Sequence, residues 1–80
     1  MGRPMGYEVY RDGRGSVRER IREAVRGYYA RHRRLPVSVV VNPTEAEAAR
    51  EALEALDLKV RVESSGGCLK PEVWLRVGDD

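Results

Sequence analysis

The sequence predicts a small α+β (α/β) domain: a two-layer sandwich in the order (β)αβαββ, with two helices on a mixed sheet of three or four strands. Three observations predict it. Residues 17–33 repeat apolar side chains at helical spacing. VSVVV (37–41) is apolar on both faces, as a central, doubly covered strand is. LKVRVE (58–63) and EVWLRV (72–77) alternate with a period of two. A chain of 80 residues holds one hydrophobic core, and 41% apolar content is too high for a disordered segment. Residues 1–80 are therefore expected to form one domain, with 1–6 and 78–80 as flexible ends.

The elements follow in order. YEVYR (7–11) alternates weakly and suits a short edge strand. DGRGS (12–16) is a turn that ends on Ser16, and Glu19 stands three residues on, the spacing of a capping box. In the first helix, 17–33, the residues Val17, Ile21, Ala24, Val25, Tyr28 and His32 share one face. Leu35-Pro36 ends it, because a residue before proline is pushed out of the α region. After strand 37–41, NPTEAE (42–47) opens the second helix, 44–56. Either Asn42 caps with Pro43 at the first helical position, or Thr44 caps with Glu47. Ala49, Ala52, Leu53 and Leu56 form its buried stripe.

The strand at 58–63 turns Leu58, Val60 and Val62 to one side and Lys59, Arg61 and Glu63 to the other. SSGGCLKP (64–71) is a loop in which Gly66 and Gly67 are expected to supply positive φ. In EVWLRV, Val73, Leu75 and Val77 point inward, Trp74 and Arg76 outward. Strands joined through a helix are expected to be parallel, with a right-handed crossover. The last two strands are expected to form an antiparallel hairpin.

Composition excludes more than it selects. One cysteine, Cys68, forbids an intrachain disulfide, and one Cys with one His is too little for a structural zinc site. No cofactor or metal is expected, and a cytoplasmic location is the default. The N-terminal residues have no apolar core of a secretory signal, and no apolar run approaches the roughly 18 residues that span a bilayer. The absence of Gln, the single Asn and the excess of Arg over Lys fit a thermophile and a GC-rich genome equally well.

The net charge of +2 hides an uneven split. Residues 1–35 carry ten Arg against four acids, +6, and residues 36–80 carry five basic against nine acidic residues, −4. On a helical wheel Arg18, Arg22, Arg26 and Arg33 fall within about 80° of one another, beside the core stripe. Arg20, Arg31 and Arg34 lie on the opposite flank, with Glu19 and Glu23 between. Such a ridge can follow several phosphates of a nucleic acid, giving affinity without sequence specificity. It can equally be a solvated face in which Glu19–Arg22 and Glu23–Arg26 pair at i+3, or which faces the acids Glu45, Glu47, Glu51 and Glu54.

Arg61, Trp74 and Arg76, with Lys59 and Val40, are expected to share the outer sheet face. An aromatic among cations can stack a base. Helix 17–33 covering that face would instead make Trp74 core, and a second copy would make it an interface anchor. Ser65, Gly66, Gly67 and Lys70 form a glycine-containing loop where a small anion could sit, although no phosphate-loop motif is present. Cys68 could be a nucleophile only beside a base or positive charge.

Three functional classes remain. The leading expectation is a non-enzymatic module binding nucleic acid with little sequence specificity through Arg18, Arg22, Arg26 and Arg33, together with Arg61, Trp74 and Arg76. The second is a structural subunit that homodimerises or docks on a partner protein. The third is an enzyme using Cys68 or the 64–70 loop, and no catalytic residues can be assigned for it.

Overall fold

The computed structural model describes residues 6–11, 13–70 and 72–78; the expected frayed tail Asp79-Asp80 and residues 1–5 lie outside them. Its elements are β1 (Tyr7–Tyr10), α1 (Val17–His32), β2 (Ser38–Val41), α2 (Ala46–Ala55), β3 (Arg61–Ser64) and β4 (Val73–Arg76). They build two layers, a mixed four-stranded sheet in the order β1-β4-β2-β3 and a pair of helices on one of its faces. Strands β2 and β3 are parallel, and β4 is antiparallel to both β1 and β2.

Each helix starts where its chemistry dictates. Ser16 Oγ accepts from Glu19 N and the Glu19 carboxylate accepts from Ser16 N, closing the capping box. Gly15 makes room for that return: it sits at φ +86°, and a Cβ there would fall 1.9 Å from Glu19 Oε1. The second helix settles its alternatives in favour of Asn42. The Asn42 Oδ1 accepts from Thr44 N at 3.0 Å, and Pro43 follows at the first position. The start is a single 3-10 turn, Pro43–Glu45, before α2 proper. Leu58 and Val60 precede β3 rather than joining it, yet both still pack against the core.

The core is the expected one. Ile21, Ala24, Val25 and Tyr28 of α1 and Ala49, Ala52 and Leu53 of α2 meet Val39 and Val41 of β2 and Val73 and Leu75 of β4. All four residues of β2 are buried, as befits a strand flanked on both edges. Burying each large aliphatic side chain contributes about 1.5–3 kcal/mol. The Tyr28 hydroxyl accepts from Gly78 N at 3.4 Å, so its polar end is satisfied. His32 stacks on Tyr28 with ring centroids 4.2 Å apart, and its Nε2 meets Glu8 Oε2 at 2.6 Å. Arg31 binds the other Glu8 oxygen, so the end of α1 is tied to the edge strand. Burial raises the Glu8 carboxyl, but the hydrogen bonds and charges of Arg31 and His32 outweigh it and hold the group below its ordinary value.

The expected hairpin of the last two strands does not form. β4 crosses over β2 and inserts between β2 and β1. The segment 65–70 carries the chain across the end of β2. Ser65 N donates to Val41 O, Cys68 Sγ lies 3.4 Å from Val40 O, and Asn42 Nδ2 donates to Cys68 O at 3.1 Å. Neither Gly66 nor Gly67 adopts positive φ. The turn closes instead by Gly67 N donating to Ser65 Oγ at 3.1 Å. Among the described residues no helix is long and apolar enough to cross a membrane.

Candidate nucleic-acid interface

Helix α1 presents Arg18, Arg22 and Arg26 on one exposed flank, and Arg33 continues that flank just past its end. None of the four makes an ion pair or a side-chain hydrogen bond among the described residues. The expected i+3 pairs, Glu19–Arg22 and Glu23–Arg26, are absent because both acids are engaged elsewhere. Glu19 completes the helix cap, and Glu23 Oε1 accepts from the Tyr10 hydroxyl at 2.6 Å.

Other arginines are matched with acids. Arg20, expected on a solvated flank, is buried against the second helix start. Its Nη2 lies 2.7 Å and its Nη1 3.2 Å from the two Glu45 oxygens, with the side chains 9% and 11% exposed. Gly13 allows this, since a Cβ there would sit 2.6 Å from Arg20 Cγ. Bonding to Arg20 outweighs burial and holds the Glu45 carboxyl below its ordinary value. The same bond raises the Arg20 guanidinium.

The start of the ridge borders the second helix. Near its start Arg18 borders a shallow groove with Ser16, Val17, Ala48, Glu51 and Ala52, so one acid of α2 lies close without closing an ion pair. Glu47, Glu51 and Glu54 are all exposed. At its far end lies a larger groove of about 560 Å³, lined by Arg26, Tyr29, Ala30, Arg33, Leu35 and Leu58. Tyr29 is 49% and Leu35 37% exposed there. Arg33 closes the helix in the left-handed region, φ 60°, with its N–H donating to Tyr29 O. That conformation is usually left to glycine, and for an L-residue it costs about 1–2 kcal/mol.

The open sheet face holds the remaining candidates on the far side of the molecule. Register lines up Tyr7, Arg76, Ser38 and Arg61 in one row across the four strands, and Val9, Trp74, Val40 and Glu63 in the next. Tyr7 and Trp74 meet at 5.6 Å between ring centroids. Tyr7 and Val9 are 44% and 43% exposed, and no helix packs on this face among the described residues. Its charges are largely paired: Arg76 with Glu63 at 3.4 Å and Arg11 with Glu72 at 3.2 Å. Glu72 also accepts from Trp74 Nε1 at 3.2 Å. Arg61 is exposed at the β3 edge. The ridge and the sheet face are thus two surfaces separated by the core, and no single ligand site joins Arg18, Arg22, Arg26 and Arg33 to Arg61, Trp74 and Arg76.

The loop candidates divide differently. Ser65 is used by the turn, and Gly66 and Gly67 are exposed. Lys70 is exposed, and its charge helps to lower the Glu45 carboxyl. Cys68 is fully buried, and burial, with the charges of Glu72 and Glu45, pushes its thiol up. Its neighbours are backbone carbonyls of Val40 and Glu72, not a base, so the thiol is a packed anchor of the crossing loop.

The chain matches no protein-family model, curated protein or solved structure with which it was compared. Its surfaces must speak for themselves. Two site features escape sequence reasoning. Tyr7 becomes Trp74's neighbour only because β4 inserts beside β1. Tyr29 and Leu58 come to line one groove only in the folded chain. The one sequence signal for Tyr29 is its place off the apolar stripe, between Arg26 and Arg33 at i+3 and i−4.

Proposed function

We propose that this protein is a non-enzymatic module that binds nucleic acid with little sequence specificity, holding the phosphate backbone along Arg18, Arg22, Arg26 and Arg33. One observation carries this reading: these four guanidinium groups have no carboxylate partner among the described residues, whereas Arg11, Arg20, Arg31 and Arg76 each have one. An unpaired row of cations on a rigid helix matches a chain of phosphates in charge and in spacing. Contacts of this kind release counterions, so affinity falls steeply with salt. With about four phosphates engaged, raising salt from 50 to 200 mM lowers affinity by roughly a hundredfold. Titration of labelled DNA and RNA at several salt concentrations measures the slope. No binding of either at low salt would remove the reading.

The Tyr7–Trp74 pair favours a second reading, in which the open sheet face seats a second copy of the chain or another protein. Paired ions around an aromatic centre resemble the rim and core of a protein interface. A two-fold dimer is the commonest such assembly. Sedimentation equilibrium at high concentration tests it, and a monomer there excludes self-association.

A further inference from the structure

We infer that the groove at the end of α1 seats one unpaired base of a single-stranded nucleic acid, with the ring against Tyr29 and the adjoining phosphates on Arg26 and Arg33. The inference rests on the ridge reading and adds to it the class of nucleic acid.

A ridge that needs only phosphate contacts requires cations and nothing more. Here the last two cations enclose an apolar floor of Tyr29, Ala30, Leu35 and Leu58. Its volume of about 560 Å³ lies within the range of small-molecule sites. Tyr29 and Leu35 leave much of their apolar surface in water, although the adjacent residues Tyr28 and Pro36 are buried. Arg26, Tyr29, Ala30 and Arg33 share one helix face, and Arg26 and Arg33 are separated by about 10 Å along the axis. The ligand that suits such a groove is flat and apolar-faced with an anion at either end. A nucleotide within a single strand has that form. A duplex keeps its bases stacked inside and offers the groove no ring to fill it.

Arg33 supplies an independent argument. The helix closes there in the left-handed region, where glycine is the undemanding choice. Backbone geometry alone gives no reason for an arginine. A guanidinium needed at the mouth of the groove does.

The test compares four ligands at fixed low salt by anisotropy and competition: short oligothymidylate, short oligouridylate, a duplex of the same length, and inorganic polyphosphate. The wild-type chain is expected to hold both single strands several-fold more tightly than the duplex. Tyr29→Ala is expected to weaken single-strand binding by roughly tenfold, in keeping with the loss of one stacked base, and to leave duplex and polyphosphate binding unchanged. Tyr29→Phe is expected to retain the preference. A 2-aminopurine within the strand should lose fluorescence on binding to wild type and regain it with Tyr29→Ala. Unfolding curves confirm that Tyr29→Ala, at an exposed position, stays folded. If single strand and duplex bind alike, or if Tyr29→Ala weakens all four ligands equally, the inference falls and the ridge reading stands. If none of the four binds, the ridge reading falls and takes the inference with it. Unequal affinity for the thymidylate and uridylate strands, both sensitive to Tyr29→Ala, supports the inference and tells DNA from RNA.

Discussion

The ridge of α1 and the open sheet face both carry arginine, but in different company. On the sheet face Arg76 lies beside Glu63 and Arg11 beside Glu72, and an aromatic pair sits between them. On the ridge, the acids nearest in sequence have turned away, Glu19 to the helix cap and Glu23 to Tyr10. A paired arginine has its charge answered within the fold, so it serves register and packing. A row with no partner among the described residues leaves its field for something outside. The number of arginines therefore says less about function than the whereabouts of the carboxylates.

The sharpest test of that contrast is Arg20, two residues from Arg22 in sequence but on another face of α1, and buried where Arg22 is exposed. Removing one member of a buried, bidentate pair leaves the other charge stranded, at a cost of about 3–5 kcal/mol. Arg20→Ala or Glu45→Ala is thus expected to remove most of the stability of an 80-residue domain, measured by urea unfolding. Arg22→Ala should change stability by less than about 0.5 kcal/mol. Equal losses at the two positions would break the distinction. The pair also sets an acid limit. Glu45 and Glu8 both titrate below the ordinary 4.5. Their contribution is complete above that value and is lost as pH falls through the lowered folded values. Glu45→Gln is expected to be less stable near neutrality and to show a flatter acid limb.

Binding should divide the other way. Arg18→Glu with Arg22→Glu is expected to reduce nucleic-acid affinity at low salt by at least a hundredfold and to flatten the salt slope by about two phosphates. Arg61→Glu, on the sheet face, is expected to change it by less than about threefold, the scale of a distant screened charge. A comparable loss at Arg61 would mean that the nucleic acid reaches the sheet, and the two surfaces would no longer be independent.

Trp74 probes the sheet face from its own side. If a second copy sits there, Trp74→Ala weakens self-association by about 2 kcal/mol or more, as central aromatic anchors do. Because Trp74 is half-buried, Val9→Lys serves as the companion variant at an exposed site of the same row. Both should leave oligonucleotide affinity intact. Loss of nucleic-acid binding in both would reassign the function to this face.

Much of this was legible in the residues and part was not, for physical reasons. Periodicity exposed α1, α2 and the alternation of β4, because apolar spacing follows directly from burial. The Ser16 cap was legible because a capping box is local. Strand order was not, since β4 can add to either edge that its pattern allows. The eight residues at 64–71 fit a long hairpin as well as a crossing over β2 in the sequence, and only the pairing of β4 with β2 and β1 decides between them. Arg20 departs from the expectation of a solvated flank for a related reason. Its wheel position lies at the margin of the core stripe, and whether a marginal arginine is solvated or buried depends on an acid 25 residues away, Glu45. The ridge itself was visible as spacing. Its lack of carboxylate partners among the described residues, which gives it meaning, is a tertiary fact.

The smallest effect expected is the most diagnostic for the ridge. Arg33→Gly removes a left-handed arginine from the helix end, relieving about 1–2 kcal/mol of backbone cost. Glycine returns some of that through a freer unfolded chain, about 0.4–1 kcal/mol. The balance is a variant as stable as wild type, or more stable by up to about 1.6 kcal/mol. Loss of a surface cation alone would not alter this, because Arg33 has no ion pair among the described residues. If the ridge exists for binding, the same substitution weakens nucleic acid and does so more for single strands than for duplex. Stability and affinity then move in opposite directions at one residue. If Arg33→Gly instead destabilises the fold in urea, the arginine is there for the helix, and the argument from its strained backbone is lost.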